Sequence, residues 1–315
     1  MSTNSIEQKE IRHGFGEGLF EAAQKDLRII ALSADLGEST GFGKIIEELP
    51  GQFVECGIAE QNMACVASGL AHEGKLPFMS SFAMFSPGRN WEQIRTTVCL
   101  NEQNVKIIST HAGFSDSTDG ATHQALEDIA LMRVLPNMSI FSPADWAEAK
   151  ALARKLPDYN HPAYVRMQRG KFPVIFSEKT EFVIGQVKRL RKGKDAVIFT
   201  TGSMLHNVLT AAEILKIQGI EVEVLHFPTI KPLDKPTVWD AANKFKKVIT
   251  VEEHQIDGGF GSSIAEVLSE VLPTPLMRIG VKSLFGESGT YEELLKKHGL
   301  DAESIAFTVK KFYNN

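Results

Sequence analysis

Short apolar, β-branched runs recur along the chain, separated by longer stretches in which apolar residues return every three or four positions. In the first half the runs are LRIIALSAD (27–35), LPFMSSF (76–82), VKIISTH (105–111), MSIFSP (138–143) and PAYVRM (162–167). Between them AEQNMACVASGLAHEG, NWEQIRTTVCLNEQ and ADWAEAKALARKL carry the helical spacing. Strands that alternate with helices predict βαβ units and a parallel sheet covered on both faces. A second series follows GQVKRLRKGKD (185–195), whose five basic residues in a polar stretch predict a linker or exposed hairpin. It comprises AVIFTTG (196–202), a helix through NVLTAAEILKIQG (207–219), IEVEVLHFPTI (220–230), KVITVEEH (247–254) and a helix IAEVLSEVL (264–272) opened by DGGFGSS (257–263). The expected fold class is α/β, with two doubly wound domains: a first over 1–184, a linker at 185–194 and a smaller second domain over 195–315.

At 315 residues the chain is long enough for two such domains, each with its own core. Its 34 basic residues balance 39 acidic ones, which points away from a nucleic-acid or membrane partner. No apolar run reaches the ~18 residues a membrane span needs, and the polar start MSTNSIEQKEIRHG has no signal-peptide core. Cys56, Cys65 and Cys99 are odd in number and lack metal spacing, which fits a reducing cytoplasm.

The candidate chemistry gathers behind the first-half strands. In ECGIAEQNM (55–63) a single carboxylate, Glu60, stands at the mouth of a small, apolar helix, where it is costly unless paired or used. STHAGFSDSTDGATHQALED (109–128) brings His111, Asp116, Asp119 and His123 to the carboxyl end of a strand, before a helix expected near Gln124. That edge is where α/β sheets bind ligands. A polar surface loop, with Asp119 in a turn and Thr122 as a cap, accounts for the same residues. Phe82 and Phe85 in SSFAMFSPGRNWEQIR read as core or as a platform for a flat ligand. Arg166 and Arg169 in YVRMQRGKFP suit a phosphate or carboxylate, or a surface ion pair. Asp35 and Ser39 in SADLGEST are explained by a turn. GGFG falls short of a dinucleotide fingerprint and reads as a tight turn.

Taken together, SADL, GIAEQNM with SGLA, SFAMF…RN, TH…DGATHQALEDIALMRVLPNMSIFSPAD and MQRG resemble, in order and spacing, the pyrimidine-binding domain of transketolases. Residues 195–315 resemble that family's C-terminal domain. The resemblance implies thiamine diphosphate as cofactor, with Glu60 on the glutamate that hydrogen-bonds N1′ of its aminopyrimidine. A carboxyl there favours the imino tautomer whose 4′-nitrogen takes the proton from the thiazolium C2. It further implies that Phe82 and Phe85 flank the pyrimidine and that Asp35 lies near the cofactor. His111 and His123 would contact the donor sugar and assist proton transfer, and Asp119 would bind a substrate hydroxyl. Arg169 would grip the substrate phosphate, helped by Ser39 and Arg12. Two positions depart from the family pattern. Gly88 stands where a tyrosine is frequent, which leaves the pyrimidine pocket more open or completed from elsewhere. Ala121 replaces the proline of DGPTH.

No GDG motif occurs, so the half that binds magnesium and the diphosphate is expected on another chain, and no metal ligand is expected in this one. The implied protein is the C-terminal subunit of a split transketolase. It would move a two-carbon ketol unit between sugar phosphates together with an N-terminal partner subunit, in a two-plus-two heterotetramer. A 1-deoxyxylulose-5-phosphate synthase-like reaction and a non-catalytic partner-binding role are the alternatives.

Overall fold

The computed structural model describes residues 7–314. Its first part contains β1 (Gln8–Glu10), β2 (Ile29–Ser33), β3 (Phe53–Glu55), β4 (Leu76–Phe82), β5 (Lys106–Thr110), β6 (Ser139–Phe141), β7 (Ala163–Arg166) and β8 (Lys171–Pro173). Then come β9 (Lys188–Arg191), β10 (Ala196–Thr200), β11 (Val222–His226), β12 (Thr229–Lys231), β13 (Val248–Gln255) and β14 (Leu276–Val281). All five apolar runs of the first half become strands. Every residue of β2, β5 and β7 is buried, as runs apolar on both faces require.

The larger sheet has the order β12-β6-β7-β5-β4-β2-β3 and is parallel except for β12, which pairs antiparallel with β6. The smaller is ordered β14-β13-β10-β11-β9, parallel except for β9. β1 and β8 form a separate antiparallel pair.

The second half of the chain departs from the sequence-based expectation at two segments. The basic stretch expected as a linker contains β9, an edge strand on β11. Its cations find buried carboxylates, Lys188 at Glu148 (2.8 Å) and Arg189 at Glu223 (3.2 Å). Residues 220–230, expected as one strand, break at Phe227-Pro228 and serve both sheets. Proline cannot donate to a ladder. β11 therefore stays in the smaller sheet, while β12 crosses to the edge of the larger one. Phe227 fills the joint between Phe199 (5.1 Å) and Phe260 (5.3 Å). One apolar cluster consequently runs from Ile107 and Ile140 of the larger sheet to Phe199 and Phe227.

Polar groups complete the join. Arg166 is 1% exposed and donates to Asp128 Oδ2 (2.7 Å) and to the Glu253 carbonyl (2.6 Å). It is thus neither a ligand arginine nor a surface ion pair but an internal tie between the two sheets. Glu253 in turn accepts from Phe114 N (2.6 Å) and Tyr291 (2.8 Å). The helix expected near Gln124 starts only at Asp128, because Ala125 is held in a backbone bridge to Ala112 and accepts from Gly113 N. Among the described residues no helix is long and apolar enough to cross a membrane.

Candidate active site

The carboxyl ends of β2, β4, β5 and β7 share one edge of the larger sheet, and the chain leaves each of them into a loop carrying a candidate residue. After β4 the segment from Phe82 to Asn90 folds into tight turns. Gly88 is compelled by that path, since a Cβ there would lie 2.0 Å from the Met84 carbonyl oxygen. Asn90, fully buried, donates to the Glu60 carbonyl (3.1 Å) and to Ser86 Oγ (3.1 Å). These bonds fasten the turn to the first turn of the helix Glu60–His72.

Glu60 is 1% exposed, and its Oε2 accepts from Arg89 Nη1 at 2.8 Å. The Arg89 guanidinium also lies 4.7 Å over the Phe85 ring. Phe85 and Phe82 stand 6.1 Å apart with their planes inclined by only 19°. His111 stacks on Phe82 at 3.7 Å, and His123 meets Phe85 edge-on at 5.4 Å. Carboxylate, phenyl rings and imidazoles thus form one continuous cluster.

His111 follows β5 with a left-handed backbone, φ 59°, which a non-glycine residue adopts only when its surroundings hold it there. Its Nδ1 is 2.7 Å from Thr110 Oγ1, and Arg12 Nη1 lies 3.5 Å from Nε2. Arginine has only donors, so Nε2 presents a lone pair and the proton sits on Nδ1. Burial pushes the imidazole down to about 3, and Arg12, Arg169 and His123 push the same way. At neutral pH the ring is uncharged.

Arg12 also donates to Glu10 Oε2 (2.6 Å) and to the Ser39 carbonyl. Ser39 and Arg12, both expected as helpers at the substrate phosphate, are thus joined through the Ser39 backbone. Gly14 and Gly18 set the Arg12 helix in place. Cβ atoms there would fall 2.1 Å and 2.4 Å from the Trp146 and Lys150 carbonyl oxygens of the helix beneath. On the β7 side Arg169 pairs with buried Asp116 (2.8 Å), and its backbone N–H donates to Ser115 Oγ (2.9 Å). Asp35, also left-handed at φ 63°, is exposed, and its backbone N–H donates to Glu55 Oε1 (2.8 Å). Asp119 is exposed at the start of the turn Gly120–Thr122, and its side chain hydrogen-bonds nothing among the described residues.

A cavity of about 590 Å³ opens beside Phe85, lined also by Met84, Gly88, Arg89, Ala125 and Asp128. A second, of about 560 Å³, runs from Arg169 and Lys171 to His206 and Tyr291. Among the described residues no three metal-ligating side chains converge. A buried carboxyl, two nearly parallel phenyl rings and adjoining open space suit a flat heterocycle with polar edges.

Sequence reasoning left Arg89 without a role, although its position four residues after Phe85 is the spacing at which a turn lays one side chain over another. The pairing of Asp116 with Arg169 has no sequence signal, because it joins two loops 53 residues apart.

The glycine-led turn at 257–263 is closed on its helix side by a carboxyl group. The group is that of Glu252, which accepts from Phe260 N (2.6 Å) and Gly261 N (2.7 Å) at the start of the helix Phe260–Val271.

Known proteins share both parts of the chain. Residues 7–174 match the family model for the transketolase pyrimidine binding domain, and residues 185–305 match that for the transketolase C-terminal domain. A Methanocaldococcus jannaschii protein, provisionally named a transketolase C-terminal section, is 44% identical over 95% of this chain and 94% of its own. A 6-deoxy-6-sulfo-D-fructose transketolase subunit of a Clostridium species is 39% identical over 95% of this chain and 93% of its own. A solved structure described as a split gene transketolase, an inactive beta4 tetramer, superposes with a TM-score of 0.89. It is 42% identical, covering 96% of this chain and 97% of that one. On its two consecutive domain matches and its near full-length relatives, this chain belongs to the transketolase family.

Proposed function

We propose that this chain is the C-terminal subunit of a two-chain transketolase in the cytoplasm. With an N-terminal partner subunit it would transfer a two-carbon ketol unit from a ketose phosphate to an aldose phosphate. The family depends on thiamine diphosphate. The observation that carries the reading is the buried Glu60 carboxyl, linked through Arg89 to the Phe85–Phe82 pair, with open space beside Phe85. Relatives named as a C-terminal section and as a split-gene tetramer support the two-chain assembly, taken here as two-plus-two.

Thiamine diphosphate, when bound, supplies the carbon nucleophile that breaks and re-forms the sugar carbon–carbon bond. Glu60 would hold a proton at the pyrimidine N1′, in a site too dry to let water take it. Phe82 and Phe85 would fix the ring plane by stacking, with Asp35 nearby. His111, neutral and oriented by Thr110 and Arg12, would hydrogen-bond a donor-sugar oxygen without bringing a charge. His123 would assist the proton transfers at the hydroxyls, and Asp119 would orient one of them. Arg169, held by Asp116, would grip the substrate phosphate, aided by Arg12 and Ser39. Magnesium and its ligands are assigned to the partner subunit.

The test is calorimetry of thiamine diphosphate with magnesium, on this chain alone and on the chain co-expressed with a GDG-bearing neighbour. Binding and ketol transfer are expected only in the mixture. A mixture that binds nothing overturns the reading.

A further inference from the structure

We propose that Arg89 occupies the pyrimidine's place in the cofactor-free subunit, so that cofactor and arginine compete for the same two contacts. The inference rests on the site reading above and adds a residue that sets cofactor affinity. Both contacts assigned to the pyrimidine are already taken by one side chain. Arg89 Nη1 donates to Glu60 Oε2 at 2.8 Å, and its guanidinium lies 4.7 Å over the Phe85 ring. A guanidinium and the pyrimidine in its imino or N1′-protonated form have the same requirements: a flat π-face for an aromatic platform and an N–H edge for a carboxyl. A single group therefore satisfies, within the chain, what the incoming ring would otherwise satisfy.

The contact is built to be exchanged. The Arg89 side chain is 47% exposed, whereas the Glu60 side chain is 1% exposed, so the arginine can turn out into water and the carboxylate cannot follow. The backbone on either side stays fixed. Asn90 is pinned to Glu60 and Ser86 by its side chain, and Gly88 is packed against the Met84 carbonyl. Admission of the ring thus needs a side-chain rotation and no movement of the loop. Meanwhile Arg89 keeps the buried carboxylate paired, which otherwise would stand uncompensated.

The experiment is calorimetric titration of thiamine diphosphate with magnesium into the assembled two-chain enzyme, with wild type, Arg89→Gln, Arg89→Lys and Glu60→Gln compared. Removing the competitor raises the competent fraction, so Arg89→Gln is expected to bind about tenfold more tightly. Arg89→Lys, which keeps the charge but not the plane, should fall between it and wild type. The cofactor-free Arg89→Gln subunit should melt at a lower temperature than wild type. Unchanged or weaker binding by both Arg89 variants, with Glu60→Gln impaired, overturns this inference and leaves the site reading standing. Glu60→Gln binding as wild type removes the site reading itself. Arg89→Lys keeps the comparison decisive if Arg89→Gln does not fold.

Discussion

Glu60, in the first turn of its helix, and Glu252, a residue of β13 that faces a helix N-terminus, are both buried carboxyl groups, and they are satisfied in opposite ways. Glu252 accepts from two backbone N–H groups of the helix Phe260–Val271. It is enclosed by glycines so closely that a Cβ on Gly259 would lie 2.2 Å from its Oε2. None of those partners can leave without unfolding the turn. Glu60 relies on Arg89, a side chain nearly half exposed to water. The arginines show the same contrast. Arg166 is sealed between Asp128 and the Glu253 carbonyl, while Arg169 meets Asp116 with its own side chain 48% exposed. Burial alone does not separate a charge that only holds the fold from one proposed for the active site. What separates them is whether the partner is part of the fixed backbone or a group that can be exchanged.

The largest effect should come from Glu60→Gln in the assembled enzyme. Loss of an acid–base group of this kind lowers ketol transfer by about 10²–10⁴-fold, with the fold kept, as steady-state kinetics and circular dichroism would show together. Full activity in that variant would put Glu60 in the same class as Glu252. The two arginines should then part company. Arg166→Met leaves Asp128 without its buried cationic partner, with only the Tyr164 hydroxyl still donating to it, and should cost about 3–5 kcal/mol in denaturant melts. Arg169→Ala also leaves buried Asp116 without its cation, but the arginine itself is half exposed, so it should cost less stability than Arg166→Met and in addition raise KM for a phosphorylated donor while sparing an unphosphorylated one. Equal stability losses would erase the distinction between them.

The smallest effect is in pH dependence. Burial pushes His254 down to about 4 and His111 to about 3, so both stay neutral in the fold while the unfolded chain takes up protons below about 6.5. Stability therefore falls as pH drops from 6.5 toward 4. Burial acts oppositely on Glu252, pushed up to about 7 against the pull of its two backbone donors. The fold keeps that proton between about 4.5 and 7 while the unfolded chain releases it, so this group makes stability fall as pH rises across that window. Glu252→Gln removes the opposing contribution, and its melting temperature should decline more steeply than wild type from pH 6.5 to 4.5. Parallel slopes would mean that Glu252 is already ionised in the fold.

Much of this protein is determined within its sequence. Short, largely apolar, β-branched runs bounded by turn residues read as central strands, whose faces both need cover, and β2, β4, β5, β6 and β7 lie within those stretches. The placing of candidate residues behind those strands follows from the same alternation, which brings Glu60, Phe82, Phe85, His111 and His123 to one sheet edge. The tertiary structure decided how charges were spent. A basic run that reads as a linker became an edge strand because Glu148 and Glu223, 40 and 34 residues away, meet its cations. The glycine turn at 257–263, which reads from sequence as a tight turn, is closed by a carboxyl from the preceding strand. Arg166 turned inward and Arg169 stayed out, although they are three residues apart and equal in chemistry. Local pattern records which face of an element is apolar. It carries no record of which distant polar group will fill a given hydrogen bond, and that choice is made only when the sheets pack.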